Sequence, residues 1–364
     1  MVHRFRFPIL LALAVALIAL ALVSSDSGTA ASGPPDGNGL NHAIAVQEAN
    51  TDALMAKEGV VGTAVGLGAN GVAAVVVFTE EPGVAGIPSE LDGVAVLTKV
   101  TGRIVALDPP PHDHPTGGNG EEEPPTTDCT STTLRFRPAC IGISTGHPNI
   151  TAGTIGARVK DEDGDVYALS NNHVYADTNQ ATIEDAVIQP GTFDGGSSLG
   201  DDDIGTLSDF ELIKFDGSDN TIDAAIALSS TANLGNATPS DGYGTPKSAT
   251  ITAILDQKVK KYGRTTEQTK GRVSAINATV DVCYEVVDGT CTKLARFVDQ
   301  IIIEPGGFSA GGDSGSLIVV DGKGKNKADD RKPVGLLFAG SFFVTVANPI
   351  DLVLTRFGVT IDGE

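Results

Sequence analysis

A chain of 364 residues, 41% of them hydrophobic, is long enough for two or three domains with ordinary buried cores, which excludes a disordered polymer. Its 46 acidic against 25 basic residues leave a formal charge of −21, which repels phosphate backbones and argues against nucleic-acid binding. Such acidity reads as a solvated surface.

The chain starts with Met1-Val-His-Arg-Phe-Arg6, a basic stretch followed by an apolar run from Pro8 to Val23 and then by small polar residues. This is the pattern of a secretory signal peptide, residues 1–25, with Ser25 and the Ala30-Ala31 pair as alternative cleavage positions. The apolar run falls short of the roughly 20 residues of a membrane span, so we expect cleavage, secretion and no stable membrane insertion.

Residues 40–107 read as a small α+β domain. Ala43, Ile44, Val46 and Leu54 give a helix over about 42–57, and Val60–Gly68 and Val72–Thr79 flank Asn70-Gly71, a pair that favours a type I′ hairpin turn. Two more strands are expected at Gly93–Leu97 and Gly102–Leu107. Residues 108–128 are rich in Pro, Gly and Glu and form an extended linker, in which His112 and His114 read as solvated residues rather than metal ligands.

From residue 129 to 358 short β-rich runs recur, including Thr154–Val159, Val166–Leu169, Thr221–Leu228, Ala249–Leu255, Gly271–Ile276, Phe297–Ile303, Leu317–Val320 and Val334–Phe338. The fold class is all-β. Four cysteines sit as two close pairs, Cys129 with Cys140 and Cys283 with Cys291, and export favours two short disulfides over metal binding. The acidic run Asp161–Asp165 lies between two strands, where a polar hairpin turn is expected rather than a calcium loop.

Gly307–Ser316, GFSAGGDSGS, holds two candidate nucleophiles. Ser309 fits G-x-S-x-G, whose general base follows the serine in the chain. Ser314 fits G-D-S-G, whose base precedes it. All six histidines, at 3, 42, 112, 114, 147 and 173, come before both serines, so chain order selects Ser314. His173 closes the apolar strand of Ala168-Leu-Ser-Asn-Asn-His-Val-Tyr175, and Asp223 starts the apolar run of Asn220-Thr-Ile-Asp-Ala-Ala-Ile-Ala-Leu228. A serine hydroxyl needs a base to remove its proton, and the base needs a buried carboxylate to fix its tautomer.

Taken together, LSNNHV, NTIDAAIAL and GGDSGSLIV resemble the three catalytic segments of chymotrypsin-like serine proteases over about residues 140–358. TAGTIGARV, KKYGRTTEQTKGRV and FAGSFFVTVANPIDLVL resemble more closely the bacterial branch that shares its protease domain with plant narrow-leaf-type proteins. The resemblance implies two antiparallel six-stranded β-barrels, about 140–240 and 245–358, with His173 and Asp223 on the first and Ser314 on the second. It implies an oxyanion hole from Gly312 and Ser314, a first specificity pocket from Phe308, Phe338, Ala339 and Gly340 that suits uncharged side chains, a paired Asp313, and no cofactor or metal. No basic residue followed by Ile-Val-Gly-Gly begins the domain, so activation by insertion of a new N-terminus beside Asp313 is not supported. The function expected is an exported serine endopeptidase acting on protein or peptide substrates, with a silent protease-fold scaffold or an esterase as alternatives, and with residues 40–107 as a pro-region or an accessory module.

Overall fold

The computed structural model describes residues 39–107, 128–199 and 201–364. The signal sequence 1–25, His112, His114 and the linker up to residue 127 lie outside the described residues. Strand makes up 40% of the chain and helix 12%, so the fold is mostly β. Among the described residues no helix is long and apolar enough to cross a membrane.

One six-stranded sheet runs in the order 186–188, 203–210, 225–229, 166–170, 157–160 and 360–361. The hairpin between Ala157–Lys160 and Val166–Ser170 turns at Asp161, whose carboxylate accepts hydrogen bonds from the backbone N–H groups of Asp163 and Asp165. Val159, Leu169, Ile204, Leu207, Ile226 and neighbouring apolar side chains bury one core here, joined by Ile350, Val353 and Leu354 of the C-terminal helix Ile350–Phe357.

In the larger sheet, strands Thr290–Glu304, Thr345–Pro349, Pro333–Gly340, Leu317–Val320, Lys258–Gly263 and Glu267–Val287 pair in sequence, and the last pairs back on the first to close a ring of six. All six strands contribute to one apolar cluster, with Val259, Val273, Ile301, Ile318, Val334 and Ala347 among its members. Glu267–Val287 and Thr290–Glu304 are far longer than the Gly271–Ile276 and Phe297–Ile303 runs read from sequence. Asn277 and Asp299, polar residues with positive φ of 53° and 62°, sit inside these strands where register shifts absorb them. Residues 249–255, expected as a strand, form no ladder, although Ile251 N–H donates to the Pro333 carbonyl.

The helix Leu40–Met55 and strands Val60–Leu67, Ala73–Thr79 and Val94–Val100 extend the same sheet, since Val60–Leu67 pairs with Glu267–Val287. Close approach requires glycine at 62, where a Cβ would come within 2.9 Å of the Thr279 carbonyl oxygen. Buried Gln47 ties the helix down, donating to Thr51 Oγ1 and Thr63 Oγ1 and accepting from Asn277 Nδ2. The 68–72 hairpin differs from a type I′ turn. Gly71 has a φ of 75° but Asn70 is not left-handed, so three residues close the loop with a glycine bulge.

Both disulfides form as the cysteine spacing suggests, Cys129 to Cys140 and Cys283 to Cys291, the second clasping the tip of the long hairpin.

Candidate active site

His173 lies in the short helical turn Asn172–Tyr175 that follows strand Val166–Ser170, and Asp223 lies two residues before strand Ala225–Ser229. Those two strands are neighbours, with Ala225 opposite Ser170, and this pairing brings residues 50 positions apart together. His173 Nδ1 lies 2.5 Å from Asp223 Oδ2, and both side chains are fully buried. A carboxylate so placed fixes the ring with Nδ1 protonated and Nε2 as the basic nitrogen.

Asp223 is held on every side. Its Oδ1 accepts from the His173 backbone N–H at 3.3 Å, and its Oδ2 also accepts from the Tyr284 hydroxyl at 2.7 Å. Its backbone N–H donates to Asn348 Oδ1 and its carbonyl accepts from Asn171 Nδ2. Tyr284 packs edge-on to the His173 ring at 6.0 Å and stacks on Phe297. Asn171, Tyr284 and Asn348 were missed in the sequence. Asn171, within LSNNHV, and Asn348, within FAGSFFVTVANPIDLVL, lie in runs that the resemblance had marked.

Ser314 is fully buried in the loop between strands Thr290–Glu304 and Leu317–Val320. Its carbonyl accepts from the Thr154 N–H at 2.7 Å. Gly153 brings the loop and the histidine segment to one place, since a Cβ there would fall 2.5 Å from Val174 Cγ2 and 3.1 Å from the Ser314 carbonyl oxygen. Ser309, the rejected candidate, instead has its hydroxyl 2.6 Å from Thr345 Oγ1.

Asp313 is enclosed by donors: Thr265 N–H, Thr266 N–H, Thr266 Oγ1, Ala310 N–H and the fully buried Lys261 ammonium at 3.3 Å. Burial pushes the Lys261 pKa down, and the Asp313 carboxylate pulls it back up. The loop is therefore pinned by an internal cation. Gly312, next to it, has a φ of 93°, a conformation that suits glycine.

The Gly312 N–H is already engaged. It donates at 2.7 Å to the carbonyl of Leu107, and the Ser314 hydroxyl lies 3.2 Å from the same oxygen. Strand Ile104–Ala106 runs antiparallel to Pro333–Gly340, with Val105 opposite Gly340 and Ala106 opposite Ala339, and the Leu107 N–H donates to the Phe338 carbonyl at 3.3 Å. Of the expected pocket residues, Phe308 shares one buried apolar cluster with Leu107, and Gly340 leaves room for Leu107, whose Cδ1 would lie 3.4 Å from a Cβ there. Buried Phe338 contributes its carbonyl, and its ring packs away on Phe297 with centroids 4.7 Å apart. Ala339 contributes its backbone.

Residues 209–345 match the protein family described as the Nal1 C-terminal domain. No curated protein matches the chain. Among solved structures, the chain is similar to a glutamic acid specific serine protease described as utilizing a novel histidine triad in substrate binding, at 20% identity over 61% of this chain and 100% of that one, with a TM-score of 0.44. Protease A of Thermobifida fusca is 16% identical over 62% of this chain and 100% of its own, with a TM-score of 0.43. A Nocardiopsis protease is 15% identical over 61% and 99%, with a TM-score of 0.42.

Proposed function

We propose that the chain is an exported serine endopeptidase in which Ser314 is the nucleophile, His173 the general base and Asp223 the carboxylate that orients it. The observation that carries this reading is a carbonyl already seated at the site, the Leu107 oxygen, with Gly312 N–H and Ser314 Oγ both within hydrogen-bonding distance of it. Such an oxygen is where negative charge develops when an acyl carbon becomes tetrahedral, and a backbone donor fixed there lowers the barrier without reorganisation. Ser314 attacks the carbonyl carbon while His173 Nε2 takes its proton and then delivers it to the leaving nitrogen. Water enters by the reverse proton path and releases the acid.

The His–Asp pair on the six-stranded sheet and Ser314 on the six-strand ring support a two-barrel arrangement with the site between them. Residues 129–358 are then the protease domain and 40–107 its pro-region. The two disulfides support an oxidising, extracellular setting.

A fluorescent fluorophosphonate tests the chemistry. It is applied to the whole chain and to a form carrying Val105→Asp and Leu107→Asp, which expels the Ile104–Leu107 segment from its apolar seat. The expected result is a label on Ser314, fastest in the double variant and absent from Ser314→Ala. No label in either form would overturn the proposal.

A further inference from the structure

Ile104–Leu107 is bonded at the site as a bound peptide would be. Its strand adds to the Pro333–Gly340 strand, its last N–H reaches the Phe338 carbonyl, and its last carbonyl takes the Gly312 N–H at 2.7 Å. On its other edge Ile104 and Val105 pair with Val282 and Cys283 of the long hairpin. Strand pairing on both sides fixes the register. Leu107, only 7% exposed, lies in the apolar cluster with Phe308, Ile303 and Leu337.

The Ser314 hydroxyl donates to the Leu107 oxygen at 3.2 Å, which with a C=O bond of about 1.23 Å leaves the carbonyl carbon about 3.4–4.4 Å from Oγ. Ser314 and Leu107 belong to one chain and already lie within hydrogen-bonding distance, which removes the translational cost of bringing a substrate to the site.

We propose that the chain cuts itself on the carboxyl side of Leu107, and that the same pocket selects aliphatic residues, leucine foremost, in other substrates. This rests on Ser314 being the nucleophile. Ser314 Oγ forms a bond to the Leu107 carbonyl carbon and passes its proton to His173. The C–N bond to residue 108 breaks, and that proton leaves on the new amine of Asp108. Water then adds to the acyl carbon, giving one proton to His173 and on to Ser314 as the ester C–O bond breaks, so that Leu107 ends in a carboxylate. Water is the only co-reactant. Residues 39–107 stay held after the cut, because Val60–Leu67 remains paired with the long hairpin and Gln47 with Asn277.

The test is intact-mass analysis and N-terminal sequencing of the full chain during incubation. The wild type is expected to give two fragments meeting between Leu107 and Asp108, at a rate independent of protein concentration, while Ser314→Ala stays whole. Leu107→Lys, which drives an ammonium into the apolar pocket, is expected to slow the cut about 100-fold, and Leu107→Met by less than about tenfold. A cut that persists in Ser314→Ala, falls at another bond or accelerates with concentration overturns the inference. A wild type that stays whole while fluorophosphonate labels Ser314 overturns it and leaves the endopeptidase reading intact. A chain that neither cuts nor labels, even with the Ile104–Leu107 segment expelled, removes both.

Discussion

Two buried aspartates belong to the candidate site, and they are held in different ways. Asp313 sits in a closed set of donors, four from the backbone and hydroxyl groups of Thr265, Thr266 and Ala310 and one from Lys261, a cation whose ordinary pKa is far above neutrality. Asp223 faces the His173 imidazole and the Tyr284 hydroxyl. Both are fully buried. The partner of Asp313 is an ammonium and that of Asp223 an imidazole, so on the proposed reading the partner, not burial, separates an aspartate that orders a loop from one that assists proton transfer.

The sharpest way to break this comparison is Asp223→Asn, which keeps the shape but favours the wrong imidazole tautomer. The fluorophosphonate labelling rate is expected to fall about 10⁴-fold while the circular dichroism spectrum is retained. Lys261→Met is the opposite case. It strands the Asp313 charge, and urea denaturation is expected to show a loss of about 3–5 kcal/mol. The pH dependence also separates the two. Because burial lowers the Lys261 pKa, the native ammonium binds its proton less tightly than the unfolded one, so stability rises with pH between the native value and 10.5. Lys261→Met is expected to lose that rise.

Gly312→Ala strains a φ of 93° and displaces the N–H that meets the Leu107 oxygen, and labelling is expected to slow about 100-fold. Tyr284→Phe removes one donor from Asp223. Labelling is expected to slow about tenfold, with the pH of half-maximal rate moving upward, because the carboxylate keeps more charge for the imidazolium; a purely structural role would leave that pH unchanged. The smallest effect falls on a third aspartate. Asp299 has its pKa raised by burial and by the neighbouring charges of Glu48 and Asp219. Its native form binds a proton more tightly, so it costs stability at neutral pH and the cost disappears as pH falls through the raised value. Asp299→Asn, which tolerates the left-handed backbone, is expected to gain about 0.5 kcal/mol in urea titrations at neutral pH and nothing in acid.

Chain order and two apolar runs carried the choice of candidate residues. Six histidines all upstream of both serines left Ser314 rather than Ser309, and apolar runs beside His173 and Asp223 marked the two residues that the structure bonds together. The helix near residue 42 and the hairpins around residues 70 and 163 were legible because their signals are local, a repeat of apolar residues or a turn pair. The roles of Tyr284, Asn348 and Lys261 were not legible, because each meets its aspartate across 50 or more residues; Asn348 and Lys261 lie in runs that carried the family resemblance, but nothing local in those runs names the aspartate each one meets. Leu107 was read as the end of a small domain. Nothing near Gly102–Leu107 in the sequence says that its edge is completed by residues 282–283 and 339–340.

The Lys261–Asp313 cage has a consequence for control. Proteases that order this loop with a freshly made chain end are switched by a change of shape, whereas here the cation that orders it is supplied by the interior of the fold. On the proposed reading, readiness then comes with folding itself, and what is left to regulate is admission: how long the resident strand stays seated, a dwell time set by hairpin edges and one leucine side chain instead of by any rearrangement of the machinery.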